Sequence, residues 1–284
     1  MTSLQPIIFT DMDGSLLDHA TYSHAEADEC LNWLKQKQIP VIPVTSKTCA
    51  EVLMLRQQLN NEAPFIVENG AAIYIPLNEL QPSSSEVARS EDFLIRTFVD
   101  SRVHWQGLLK TVGTHLNDAF LTFQQAGIEG IMQMTGLNEQ QAQLAAQREY
   151  GEPLKWLGSD AQYDEFREFI QAQGGQLLRG GRFIHLSGAC DKGIALQWLL
   201  NQYRQHYAEK TVVSIALGDS QNDIAMLEAV DHAIIIRSPV HDYPQLSDNA
   251  EQSVYRTQAL GPSGWAEGIT YVLDKLKINI RIKG

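Results

Sequence analysis

The sequence contains no apolar run approaching the roughly 20 residues that cross a bilayer. It also lacks a basic start followed by a long apolar stretch. MTSLQP leads into the short IIFT and then directly into acidic residues, which is not the pattern of a secretory leader. The expected location is therefore cytoplasmic. Cysteine is scarce: Cys30, Cys49 and Cys190 are odd in number and far apart. They form no CxxC pair, so neither a disulfide framework nor a zinc site is indicated, and buried, inert thiols are expected. Positive charge is also in short supply. Lys and Arg total 22 against 34 Asp and Glu, a net charge of −12. A field of that sign repels nucleic acid and anionic lipid, so neither is expected as a partner. It would also repel a phosphorylated small molecule, unless a metal ion or placed Lys and Arg supply positive charge locally. What remains is ordinary: 44% hydrophobic and 20% charged residues over 284 positions, enough for one large core or two domains.

Short apolar runs alternate with helical patterns at the start of the chain. Ile7 to Thr10, Val41 to Val44 and Phe65 to Val67 read as buried strands. Between them, Ala25 to Lys37 and the stretch carrying Val52, Leu55 and Leu59 read as helices. The rhythm returns with a helix over Lys192 to Tyr203, a strand over Val212 to Leu217, a helix over Asp223 to Ala229 and a strand over Ala233 to Ile236. Such alternation predicts an α/β fold with a parallel sheet covered by helices. The serine-containing stretch Leu80 to Glu91 breaks it and reads as a linker. Beyond it, Phe93 to Leu116, Asn138 to Arg148 and Tyr163 to Gln173 read as helices. Leu154 to Leu157, Gln176 to Leu178 and Phe183 to Leu186 read as strands. The expected organisation is a core of residues 1–84 and 188–284, with an α+β segment, 85–187, inserted between. The C-terminal LKINIRIKG reads as an edge strand or a solvated tail.

Three clusters follow directly after expected strands: Asp11-Met12-Asp13-Gly14, Thr45-Ser46, and Gly218-Asp219 with Asn222-Asp223. In an open parallel sheet, ligands bind at the carboxyl ends of the strands. If these strands are neighbours, at least four carboxylates meet at one spot, and their repulsion demands a cation. Magnesium, which takes oxygen ligands and few carboxylates, suits such a set. Taken singly, each Asp fits a helix or turn cap as well as a catalytic role. The combination, with Lys192 ahead of a helix, is far more specific.

In this arrangement IIFTDMDGSLLD resembles the first motif of the haloacid dehalogenase superfamily. VIPVTS resembles the second, Lys192 in CDKGIAL the third and LGDSQND the fourth, in the family's order. The resemblance implies a Rossmann-like core with a type 2 cap inserted between the second and third motifs. It implies magnesium as cofactor and a phosphatase acting through an aspartyl-phosphate. Asp11 would be the nucleophile and a metal ligand. A carboxylate is already ionised at neutral pH and needs no base. Asp13 would protonate the leaving oxygen, later deprotonate the attacking water, and turn its backbone carbonyl to the metal. Thr45 and Ser46 would bind the phosphoryl group, Lys192 would pair with Asp11 and phosphate, and Asn222 would orient its neighbours. Asp219 and Asp223 would hold the metal. Ser15 stands where the family commonly has Thr, and it keeps the hydroxyl.

Further segments resemble the mannosyl-3-phosphoglycerate phosphatases: SKT at 46–48, ENGAAIYIP at 68–76, REYGEP at 148–153, GGRFIHL at 180–186 and GPSGW at 261–265. The implied substrate is a small phosphorylated glycoside, with the glucosyl analogue or other sugar phosphates as the alternative. Its carboxylate needs a second cation, and Arg suits bidentate pairing. Arg182 leads here, then Arg148, with Lys47 also within reach of substrate. Arg148 otherwise reads as a ligand of helix-end carbonyls. His185 reads as a packed histidine, Trp265 as core or lid packing, and Glu68 as structural, with Asn69 a candidate pocket residue. A phosphate-binding module without catalysis would be expected to have lost Asp11, Asp13 or Asp219, and all three are present.

Overall fold

A computed structural model describes residues 3–82, 86–179, 183–278 and 280. The chain opens with β1 (Leu4–Thr10), α1 (Asp28–Gln36), β2 (Val41–Pro43), α2 (Cys49–Gln58) and β3 (Phe65–Val67). Strands β4 (Ala72–Pro76), β5 (Val87–Arg89) and β6 (Phe93–Thr97) follow. Next come α3 (Arg102–Leu109), β7 (Phe120–Thr122), α4 (Phe123–Thr135), α5 (Glu139–Ala145), β8 (Glu152–Trp156), α6 (Asp160–Ala172), β9 (Gly175–Arg179) and β10 (Ile184–Gly188). The chain closes with α7 (Lys192–His206), β11 (Thr211–Gly218), α8 (Ile224–Glu228), β12 (His232–Arg237), β13 (Ser253–Leu260) and α9 (Gly261–Lys275).

The central sheet runs β13-β12-β11-β1-β2, and every pairing in it is parallel. Both faces are covered, as parallel sheets require. Successive residues of β1 serve opposite faces: Ile7 and Phe9 pack with Leu196 and Leu199 of α7, while Ile8 packs with Leu34 of α1 and Ile269 of α9. That double burial is why the strand reads as an unbroken apolar run. Trp265 is fully buried, and its Nε1 donates to Thr10 Oγ1 at 2.9 Å. It is therefore a core residue at the end of β1. The three cysteines are buried and unpaired. Among the described residues, no helix is long and apolar enough to cross a membrane.

A second sheet, β3-β4-β6-β5, is antiparallel and abuts β2 through one parallel bridge between Val44 and Ile66. A third, β7-β8-β10-β9, is antiparallel and belongs to the inserted segment. Its own core gathers Trp105, Leu109, Phe166 and Ile170 from α3 and α6 against Leu154, Ile184 and Leu186.

Two expectations are corrected. Phe93 to Leu116 is not one helix: Phe93–Thr97 is β6, paired residue for residue with β4, and the helix begins only at Arg102. Cross-strand pairing decides the conformation of FLIRT, because β4 supplies its partners. Within the supposed linker, Val87–Arg89 is the edge strand β5. Its side chains are largely exposed, so the sequence carries no burial signal there. Residues 83–85 lie outside the described residues, as does most of the C-terminal tail.

Candidate active site

The strand register builds the site. Thr10 pairs with Leu217, so the residues that follow, Asp11 and Gly218-Asp219, leave the sheet side by side. The Asp11 N–H extends that ladder by donating to Leu217 O at 2.8 Å. Gly14 has φ +79, and a Cβ there would lie 2.7 Å from Asp219 Oδ2. Only glycine lets the first loop pass so close to the fourth. At the start of α7, the Asp191 side chain accepts the Ile194 N–H at 2.7 Å. That cap fixes the helix so that Lys192, its first residue, enters the site from below.

The Lys192 ammonium is wholly buried between two carboxylates, 2.5 Å from Asp11 Oδ1 and 2.6 Å from Asp223 Oδ1. The second Asp223 oxygen accepts the Asp219 and Ser220 N–H groups at 3.1 and 3.0 Å. Asp223 is thus fully engaged, while among the described residues the one ion-pair partner of the Asp219 side chain is His241, with Nε2 at 3.5 Å from Oδ2. Oxygens of Asp11, Asp219 and Asp223 all lie within 4.8 Å of one another. Among the described residues, three buried carboxylates face a single ammonium, and every ligand atom they offer is oxygen. The chemistry of this set fits a hard divalent cation, which these residues could hold.

The carboxylates crowd one another. Burial first, then Asp223, raise the Asp11 carboxyl well above its ordinary range, against the pull of Lys192. Lys192 is driven down by burial, but Asp11 and Asp223 outweigh that and raise it, so it stays charged. Burial first and Asp223 second push Asp219 up to about 6, against His241 and Lys192. A carboxyl raised in the folded state stabilises the fold at low pH, and that stability is lost as pH rises through the folded value. The window for Asp219 runs from about 4 to 6. Chelator-treated protein is therefore expected to melt lower at pH 7 than at pH 5. Added magnesium should raise the melting temperature more at pH 7. Asp219→Asn should flatten both effects, and melting curves at the two pH values check this.

Asp13 stands apart from the cluster. Its Oδ2 pairs with Lys47 Nζ at 2.8 Å, and its Oδ1 is buried without a partner among the described residues. Thr45 is buried at the end of β2, with its N–H donating to Ile66 O at 3.0 Å. Asn222 Nδ2 donates to Asn69 Oδ1 at 3.3 Å. The structure thus gathers Asp11, Lys192, Asp219 and Asp223, and sets Asp13 with Lys47 beside them. Arg182 lies outside the described residues.

Arg148 is already committed: its Nη2 donates to Ser46 O at 3.0 Å, and its Nε lies 3.3 Å from Glu68 Oε2. Glu68 sits at φ +48 after β3. Its carboxylate accepts the N–H groups of Glu149, Tyr150 and Gly151 at 2.7, 3.3 and 2.9 Å. Glu68 therefore ties the inserted segment to the Thr45–Lys47 loop, whose Lys47 O accepts the Glu68 N–H at 3.0 Å. Glu68→Gln is expected to lower unfolding free energy by about 2–4 kcal/mol, read as a shift in the urea midpoint.

A cavity of about 460 Å³ opens beside the acidic cluster. Ser46, Asn69, Asn222 and His241 line it from the core, and Arg179 and His185 from the inserted segment. Sequence reasoning missed Arg179 and His241, and it took His185 for packing. His241 was within reach of the strand-end rule, since it follows β12, a neighbour of β11. Arg179 carried no such signal: it is exposed, with its guanidinium over the Tyr163 ring at 4.7 Å.

The model of the haloacid dehalogenase-like hydrolase family matches residues 8–248. A glucosyl-3-phosphoglycerate/mannosyl-3-phosphoglycerate phosphatase of Methanococcoides burtonii is 36% identical over 272 residues, 96% of this chain and 98% of that one. A protein of the same name from Persephonella marina is 32% identical over 278 residues, covering 95% and 98%. A haloacid dehalogenase-like hydrolase of B. subtilis superposes with a TM-score of 0.60 at 17% identity, over 95% of this chain and 99% of that one, a likeness of fold.

Proposed function

The chain belongs to the haloacid dehalogenase-like hydrolase family, and from that premise we propose that it is a magnesium-dependent phosphatase of glycosyl-3-phosphoglycerates. It releases inorganic phosphate and the glycosylglycerate. The observation that carries this reading is Lys192, buried between Asp11 and Asp223, with Asp219 alongside at the carboxyl edge of a parallel sheet. The relatives' names include both the mannosyl and the glucosyl ester. The two sugars differ in the orientation of one hydroxyl, and both are proposed as substrates.

In the proposed reaction, Asp11 attacks phosphorus in line with the ester oxygen, the P–O ester bond breaks, and Asp13 gives its proton to the departing alkoxide. Water then attacks the phosphorus of the aspartyl-phosphate and passes a proton to Asp13. The bond to Asp11 breaks and inorganic phosphate leaves. Lys192 orients Asp11 and offers its charge to the phosphoryl oxygens. Thr45 and the Ser46 loop cradle those oxygens. Lys47 Nζ lies 2.8 Å from Asp13 Oδ2 and so aims this side chain, whose other oxygen, Oδ1, would carry the proton that is given up. A divalent cation on Asp11 and Asp219 would supply the positive charge that keeps Asp11 ionised and would neutralise the phosphate.

The cavity of about 460 Å³ is of a size to take the leaving group. Arg179 on its rim, and Arg182 nearby in sequence, are the proposed partners of the glycerate carboxylate. The division into a core of 1–84 and 188–284 and a cap of 85–187 belongs to the same proposal. Since β6 pairs with β4 and β5 with β6, the part free to move as a cap begins after Thr97. Phosphate release from both glycosyl esters, from hexose 6-phosphates and from p-nitrophenyl phosphate tests the reading. Preference for the glycosyl esters by at least about tenfold in kcat/KM is expected, with loss under chelation. Equal turnover of all four contradicts it.

A further inference from the structure

The inserted segment contributes to the cavity a histidine that the reaction above does not use. On β10, Ile184 and Leu186 point into the segment's own core. Strand alternation therefore turns His185 to the opposite face. There its ring borders the cavity together with Ser46, Asn69 and Asn222. Its Nδ1 is buried and, among the described residues, has no hydrogen-bond partner, so nothing described there fixes the ring's orientation toward the cavity. A histidine that only packs normally has such a nitrogen paired. Burial first, and the nearby Arg148 second, push its pKa down to about 3. The ring is therefore neutral, with one donor and one acceptor. A neutral imidazole brings no charge to phosphate or carboxylate, and only its N–H can serve such an anion, since the other nitrogen is an acceptor. It does match a hydroxyl, which also donates and accepts.

We propose that His185 determines specificity by hydrogen-bonding a hydroxyl of the glycosyl ring in this cavity. The inference rests on the phosphatase reading above and assigns one residue to the sugar. It is tested with His185→Leu, which keeps apolar bulk without the hydrogen bond, and His185→Gln, which keeps a donor and an acceptor. Each is assayed on mannosyl-3-phosphoglycerate, glucosyl-3-phosphoglycerate and p-nitrophenyl phosphate, and each is melted.

His185→Leu is expected to lower kcat/KM on at least one glycosyl ester by about 10- to 100-fold, mainly through KM. On p-nitrophenyl phosphate, which has no glycosyl hydroxyl, the change should stay within about threefold. His185→Gln should recover part of the loss, and neither variant should lose its cooperative melt. Equal losses on all three esters, or collapse of the melt in both variants, would make His185 a packing residue and overturn the proposal. So would a His185→Leu enzyme that matches the unsubstituted one on both glycosyl esters, while the phosphatase reading would stand. If the unsubstituted protein hydrolyses p-nitrophenyl phosphate but neither glycosyl ester, the substrate reading falls and takes the role of His185 with it.

Discussion

Asp11→Asn is expected to lower kcat by roughly 10⁴-fold or more, with the protein still folded. The amide keeps the shape and can still meet Lys192, but it is not a nucleophile and cannot carry a phosphoryl group. Stability should not fall with activity. In the metal-free protein, Asp11 is one of three crowded carboxylates, and burial already disfavours its charge. Removing that charge relieves repulsion, so the melting temperature in chelator should be unchanged or higher. Steady-state kinetics and a melting curve on one preparation decide it. Activity within about tenfold of the unsubstituted enzyme would remove Asp11 from the chemistry.

Lys192→Met is expected to do the opposite to stability. The methionine fills a similar volume but leaves Asp11 and Asp223 buried without their cation. Breaking a buried pair by removing one partner costs about 3–5 kcal/mol, because the orphaned charge stays in low dielectric. Turnover should also fall by about 10³-fold, as the ammonium no longer orients Asp11 or meets the phosphoryl oxygens. Denaturant unfolding at pH 7.5 in chelator reads the first effect, and initial rates in magnesium the second. A variant as stable as the parent would mean that the Lys192 bridge does not hold the site together.

The contrast between the two variants follows from position along the chain, and so does what the sequence discloses. Strands β1, β2, β11 and β12 are legible because both faces are buried, and their ends place Asp11 and Asp219 without further information. Lys192 is legible through its place at the head of a helix. Other elements obscure themselves. β13 alternates exposed and half-buried residues at the edge of the sheet and gives a weak apolar signal. α4 carries Gly127 at φ +63, which interrupts its periodicity. α9 opens on Gly-Pro-Ser-Gly, which reads as a turn, although proline in the first turn is a helix start. Phe93–Thr97 is a strand only because β4 lies beside it.

The wall of the cavity is the least legible part. Glu68 reaches the backbone of 149–151 from a left-handed conformation that no local pattern announces. Its grip on Arg148 is also why that arginine is taken up by Ser46 and Glu68. His185 looks like packing in one dimension, because alternation alone does not say which face of β10 meets the core. Such placements depend on how two sheets far apart in sequence sit against each other, and that information is tertiary.

The central claim is that Asp11 takes the phosphoryl group. Enzyme mixed with glycosyl-3-phosphoglycerate and magnesium, quenched in acid within one turnover and digested, should yield the peptide containing Asp11 heavier by one phosphoryl group. The adduct should be absent from Asp11→Asn and from chelated enzyme. Full release of phosphate in the same time course, with no adduct on that peptide at any quench time, would contradict the account.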